Sequence, residues 1–150
     1  MCDNRYILII NGPNLNLLGR RQPEIYGTRS LEDINREIAA SLSTDISLVA
    51  KQFNGEGDII DALHDAGFDC DCLGIVLNAG AYSHYSYAIA DAIAAIDTPV
   101  VEVHISNINA REEFRHKSVL APVCRGTIAG FGALSYRLAV DALLAPGNDR

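Results

Sequence analysis

The chain has 150 residues, 49% of them hydrophobic and 21% charged, which suits one globular domain with a single substantial core and excludes fibrous or disordered classes. A formal net charge of −7 speaks against nucleic acid or an anionic membrane as partner, since both recruit basic surfaces. It leaves room for a small anion held by a few arginines.

Residues 6–10 form the longest apolar run, far short of the roughly 20 residues that span a bilayer. They read as a first, fully covered strand. The five residues before them carry no secretory pattern, so a cytoplasmic location is expected. The loop that follows runs from Asn11 to Gly27, long for a strand-to-helix connection and therefore a candidate lid, placed at about 19–28. Its glycine spacing is not that of a phosphate loop, and Gly12, Gly19 and Gly27 are candidate turns or hinges. Tyr26 in this loop is a usable general base if a guanidinium stabilises its phenolate, and Arg21 is close in sequence. The alternative is a surface tyrosine that packs the loop.

Ser30, followed by an acidic residue at Asp33, predicts a helix start, with Leu31, Ile34, Ile38 and Leu42 along one face. A second strand is expected at 46–52, then a helix marked by Ile59, Ile60 and Leu63. Cys70 and Cys72 have neither redox nor zinc spacing; with Cys2 and Cys124 they read as thiols of a reducing compartment.

The third strand, 73–77, runs into Asn78, which can donate and accept, and then to His84 at the start of a helix whose N-terminus offers donors to an anion. His84 is either a ligand contact or a capping-region residue. Tyr85, Ile89, Ala92, Ile93 and Ile96 mark that helix, and Asp91 lies off their stripe, facing solvent or another subunit. The fourth strand, 100–105, places Glu102, His104 and Ser106 on one face. A carboxylate two residues from a histidine holds the ring and favours the imidazolium, which is what a general acid needs. Arg111 and Arg115, four apart, are expected to share a helix face, either for carboxylate or hydroxyl recognition or as a solvated face with Glu112 and Glu113. His64 and His116 read as surface residues, and no lysine is set for Schiff-base chemistry. A short fifth strand at 127–129 precedes a last helix through Leu134, Leu138 and Ala142, and a polar tail at 146–150.

Five strand–helix units without an internal repeat predict an α/β fold: a flavodoxin-like three-layer sandwich with a five-stranded parallel sheet, in one catalytic domain over 1–150. In such sheets ligands bind outside the carboxyl ends of the strands.

These stretches resemble the type II 3-dehydroquinate dehydratases. The matching runs are Asn11-Gly12-Pro13-Asn14-Leu15-Asn16 through Tyr26-Gly27, Leu77-Asn78-Ala79-Gly80 with Ser83-His84, and Glu102-Val103-His104-Ile105-Ser106-Asn107. They continue in Ala110-Arg111-Glu112-Glu113-Phe114-Arg115 and Gly130-Phe131-Gly132, in order along nearly the whole chain. The resemblance implies reversible anti elimination of water from 3-dehydroquinate to 3-dehydroshikimate through an enolate, with no metal or organic cofactor, in aromatic amino acid biosynthesis or quinate breakdown. It implies that Tyr26 takes the C2 proton beside Arg21, that Asn14 helps stabilise the enolate through a water, and that His104, held by Glu102, protonates the leaving hydroxyl. Asn78 and the backbone of Ile105 and Ser106 would bind the carboxylate and nearby hydroxyls; His84 and Arg115 would contact ring hydroxyls, and Arg111 would position the lid. It further implies a homododecamer, a tetramer of trimers, with Asp91 reaching a neighbour's site. Gln52-Phe53-Asn54-Gly55-Glu56-Gly57 departs from the family's usual pattern at Phe53, where a small polar residue is common. Two other classes compete: a hydrolase using Ser83 or Ser106 with His104, which lacks a nucleophile elbow, and a non-catalytic module for a small anion, which has no need of an acid–base pair.

Overall fold

A computed structural model describes residues 4–147. Its element order is β1 (Tyr6–Asn11), α1 (Pro23–Tyr26), α2 (Leu31–Ser41), β2 (Ser47–Gln52), α3 (Glu56–Gly67), β3 (Cys72–Asn78), α4 (Tyr87–Ala95), β4 (Val100–His104), β5 (Gly126–Ala129) and α5 (Leu134–Leu144), with short 3-10 turns in the connections. The five strands form one parallel sheet in the order β2-β1-β3-β4-β5. This is the doubly wound order, in which the chain reverses its direction of travel across the sheet between β1 and β3 and opens a crevice there.

Strand alternation builds two cores. Leu8, Ile10, Ile75 and Leu77 project to the side covered by α3 and α4, where Ile59, Leu63, Ile89 and Ile93 meet them. Ile7, Ile9, Val76, Val101 and Val103 project to the other side, against Ile34 and Ile38 of α2 and Tyr136, Ala139 and Val140 of α5. Coverage of both faces explains why the central strands read as unbroken apolar runs. The edge strand β2 departs from that expectation: with pairing on one side alone, half its residues are exposed.

Local signals set the helix starts. Ser30 and Asp33 form a reciprocal capping box at α2, each side chain accepting from the other's backbone N–H at 3.1 Å. At α4 the cap is Ser86, whose hydroxyl accepts from Ile89 N–H and donates to Glu56 on α3. The anion-ready N-terminus expected near His84 is therefore filled by protein, and His84 itself ends a 3-10 turn, Gly80–His84. The final helix lies where expected, and its inward face does not follow the leucines that mark it. Ser135, Tyr136, Ala139, Val140 and Leu143 are buried, whereas Leu134 is 53% and Leu138 36% exposed. Cys70 is exposed while Cys72 and Cys124 are buried; Cys2 and residues 148–150 of the polar tail lie outside the described residues.

Tyr136 explains that turn of the helix. Its hydroxyl, fully buried, donates to Asn11 Oδ1 at 2.6 Å and accepts from Asn78 Nδ2 at 2.9 Å. It thereby ties α5 to the ends of the two strands that flank the crevice. Removing the hydroxyl in Tyr136→Phe leaves both amides short of a partner, and chemical denaturation is expected to show a loss of about 1–3 kcal/mol with an unchanged m-value.

Candidate active site

At the carboxyl ends of β1, β3 and β4 lies a cleft of about 100 Å³, room for several waters or a small ring compound rather than a polymer. Three segments furnish it. The β1 loop brings Asn14, Arg21 and Tyr26; the turn after β3 brings Gly80 and His84; β4 and the loop beyond it bring His104, Arg111 and Arg115.

Close backbone packing fixes the first of these. Gly12 abuts the β3 loop so tightly that a Cβ would stand 2.6 Å from the Ala79 carbonyl oxygen. It is therefore a contact point, not a hinge. Asn14 follows in the left-handed region at φ 69°, which asparagine tolerates better than most residues. Its N–H is held by Asn54 Oδ1 at 3.1 Å, and Asn54 also accepts from Gln52. The loop after β2 thus props the loop after β1, with Phe53 N–H donating to the Asn11 carbonyl; the Phe53 departure falls where the backbone makes the contact. The expected lid contains the short helix α1, started by Pro23 at its first position and ended by Gly27 at φ 81°. It holds Tyr26 over the cleft.

Tyr26 is gripped by two guanidinium groups. Its hydroxyl oxygen accepts from Arg111 Nη1 at 2.9 Å and from Arg21 Nη2 at 3.4 Å. The two Cζ atoms stand 5.2 Å and 4.5 Å from the ring centroid. Both cations stabilise negative charge on that oxygen. Arg111 also donates to Ser106 Oγ at 3.2 Å.

Across the cleft, His104 Nε2 meets Glu102 Oε1 at 2.8 Å, and both side chains are buried. That leaves Nδ1 as the nitrogen available to a ligand. Burial works to raise the Glu102 carboxyl, but hydrogen bonds from His104, Ser118 and Thr127 outweigh it and hold the group below the ordinary glutamate range. His84 stacks on His104 with ring centroids 6.0 Å apart, and its Nδ1 lies 2.8 Å from the Lys117 carbonyl. Burial, aided by repulsion from His104 and Arg115, holds the His84 ring below its usual value, so it favours the neutral form.

Not every expected residue reaches the cleft. Glu102 acts from behind His104. Asn78 is 4% exposed, its amide engaged with Tyr136 and with Gly80 N–H. Ile105 is buried with its carbonyl accepting from Gly132, and Asp91 is exposed on α4, outside this cleft. Arg111 and Arg115 do line it, but not from one helix face: Arg111 is extended, between the 3-10 turns Ile108–Ala110 and Glu113–Arg115. Arg115 is held by Glu112 at 2.5 Å and packs over Phe114. The serines of the hydrolase alternative are placed otherwise: Ser83 is fully buried, and Ser106 serves Arg111. No cluster of three or more metal-ligating side chains occurs among the described residues.

Ser118 and Thr127, which donate to Glu102, carry no signal in the sequence, whereas His116 is exposed as expected, its Nε2 3.0 Å from the Arg111 carbonyl. No local pattern announces the two hydroxyls, because each partner lies in a different segment.

The family model described as dehydroquinase class II matches residues 5–144. Among similar proteins, one from Exiguobacterium sp. named 3-dehydroquinate dehydratase is 58% identical, covering 96% of this chain and 97% of its own. Another of that name from Bacillus subtilis is 54% identical, covering 93% and 94%. The crystal structure of a type II dehydroquinase from Butyrivibrio crossotus superposes with a TM-score of 0.90 at 49% identity, covering 95% of this chain and 99% of that one.

The sign of the Glu102 shift sets a pH dependence. The folded chain favours the carboxylate more than the unfolded chain does, so its stabilisation is fully present above the ordinary glutamate range and is lost as pH falls through the lower folded value. The stability gap between the wild type and Glu102→Gln, measured by urea midpoints, is expected to narrow as the solution is acidified below that value.

Proposed function

The chain belongs to the class II dehydroquinase family, and from that premise we propose that it catalyses the reversible dehydration of 3-dehydroquinate to 3-dehydroshikimate by anti elimination. The activity is that of a hydro-lyase, the dehydration step of the shikimate pathway. The observation that carries this reading is the opposition of two groups across one cleft: a phenol gripped by two guanidinium groups, and an imidazole backed by a buried carboxylate.

In this mechanism the Tyr26 phenolate, stabilised by Arg111 and Arg21, removes the proton from C2. The electrons of that C–H bond pass to the C3 carbonyl oxygen as an enolate, which Asn14 stabilises through a water. The enolate then collapses, the C1–O bond breaks, and the imidazolium of His104 delivers its Nδ1 proton so that the oxygen leaves as water. Glu102 stays ionised throughout and keeps the Nε2 proton of His104 in place. Arg115 and the neutral His84 face the ring hydroxyls from the opposite wall of the cleft, His84 as a donor or acceptor of hydrogen bonds rather than a charge. Arg111 joins the lid to the rest of the site, since it bonds to Tyr26 and Ser106 together. The substrate carboxylate falls to Asn78 and the backbone at Ile105 and Ser106, with the Asn78 amide releasing one of its present partners on binding.

The assembly belongs to the same reading. Asp91 sits exposed on α4 and lines no part of its own chain's cleft, which suits a dodecamer in which it completes a neighbour's site. No helix among the described residues is long and apolar enough to cross a membrane, in keeping with a cytoplasmic enzyme.

Purified protein mixed with 3-dehydroquinate should develop the absorbance of the conjugated enone. Tyr26→Phe should reduce kcat by about 10²–10⁴-fold while the fold and most of the ligand affinity persist; wild-type turnover in that variant rules out Tyr26 as the base.

A further inference from the structure

Beyond the groups that touch the cleft, we propose that Ser118 and Thr127 are positioning residues that keep the Glu102 carboxylate ionised and weakly basic, so that the proton on His104 stays available to the leaving group. This rests on the acid role given to His104 above.

Geometry gives the hydrogen of each hydroxyl to Glu102. Ser118 Oγ accepts from the N–H groups of Leu120 and Ala121, both at 3.1 Å, and its own hydrogen is left to donate to Glu102 Oε1 at 2.5 Å. Thr127 stands opposite Glu102 in the β4–β5 register and donates to Oε2 at 3.0 Å. An ionised carboxylate can only accept, so with His104 it receives three hydrogens in a place where the glutamate is 0% exposed.

Two of those donors are neutral and do not touch the cleft. Their effect falls on the division of the proton between carboxylate and imidazole. A buried carboxylate paired with one imidazolium alone tends to reclaim the proton, because transfer removes both charges from a poorly solvated place. Every further donor to the oxygens makes the carboxylate a poorer base and leaves the proton on the ring. During elimination the Nδ1 proton of His104 passes to the leaving oxygen as the C1–O electron pair departs with it. The ring is left neutral, with its Nε2 hydrogen still on Glu102. Among the described residues, His84, on the turn before α4, is a further titratable group that bears on Glu102. In register, β3 presents only Leu77.

Thr127→Val removes one donor without touching the Ser118 turn, and Thr127→Ser restores it; Ser118→Ala removes the other. Thr127→Val and Ser118→Ala are each expected to lower kcat roughly ten-fold, part of the ~10²–10⁴ that a general acid supplies, with KM changed by less than about two-fold. The high-pH limb of the kcat–pH profile, set by the His104 acid, should move to higher pH, Thr127→Ser should recover the wild-type profile, and Thr127→Val should add nothing in a Glu102→Gln background. A profile superimposable on the wild type's, or losses that multiply with Glu102→Gln, overturns the proposal. NMR titration of the His104 ring in the wild type and Thr127→Val gives a readout free of substrate: an upward move supports the clamp and no move overturns it. Failure of the wild type to turn over 3-dehydroquinate would instead count against the assigned reaction.

Discussion

The site is organised around a negative charge placed where water cannot reach it. Glu102 lies mid-strand in β4, fully buried between Leu77 of β3 and Thr127 of β5. An isolated carboxylate there would cost far more than the fold could supply. It is tolerated because three donors converge on it from three segments: its own strand, the neighbouring strand, and the loop that returns from the arginines. Much of the local architecture follows from satisfying that group. The 116–125 connection runs back along the sheet, with Val119 N–H donating to the Ser83 carbonyl and Arg125 N–H to that of Val100. It carries Ser118 to the carboxylate and Leu120 into the core.

Charge is arranged in opposition to composition. The chain is acidic overall, yet Arg21, Arg111 and Arg115 border one small cleft, and two of them share a single phenol oxygen. Such an arrangement draws an anion to the strand ends while the rest of the surface repels it. The same guanidinium groups tie loop to floor: Arg111 bonds Tyr26 on one segment and Ser106 on another, so one side chain both holds the phenol over the cleft and fastens the loop that carries it.

What could be read in the sequence was whatever rests on local periodicity. The central strands stood out because helices cover both faces, and the Ser30–Asp33 box marked α2 at its observed start. Tyr26, His104, Arg111 and Arg115 could be singled out as chemistry-bearing residues, and they share the cleft. Errors arose where tertiary partners decided the outcome. The four-residue spacing of Arg111 and Arg115 resembles a helix face, but the segment breaks into 3-10 turns around an extended Arg111. In α5, leucines at helical spacing marked the helix but not its inward face, which is set by the tyrosine whose hydroxyl serves two buried amides. The partners of Glu102 were illegible for the same reason, since Ser118 and Thr127 lie 16 and 25 residues away.

Those errors share a physical cause that bears on how the site holds its shape. Apolar burial is non-directional and leaves a periodic trace in sequence. A buried hydrogen bond is directional and leaves none. Here the cleft depends on the second kind. Tyr136 ties α5 to the ends of β1 and β3, and the hydroxyls of Ser118 and Thr127 converge on the fully buried Glu102. Substituting an apolar core residue by one of similar volume is tolerated because neighbours repack. Removing one of these oxygens leaves a donor or acceptor with no solvent to replace it. The polar ties, rather than the aliphatic layers they thread between, therefore fix the register of the three segments that meet at the cleft.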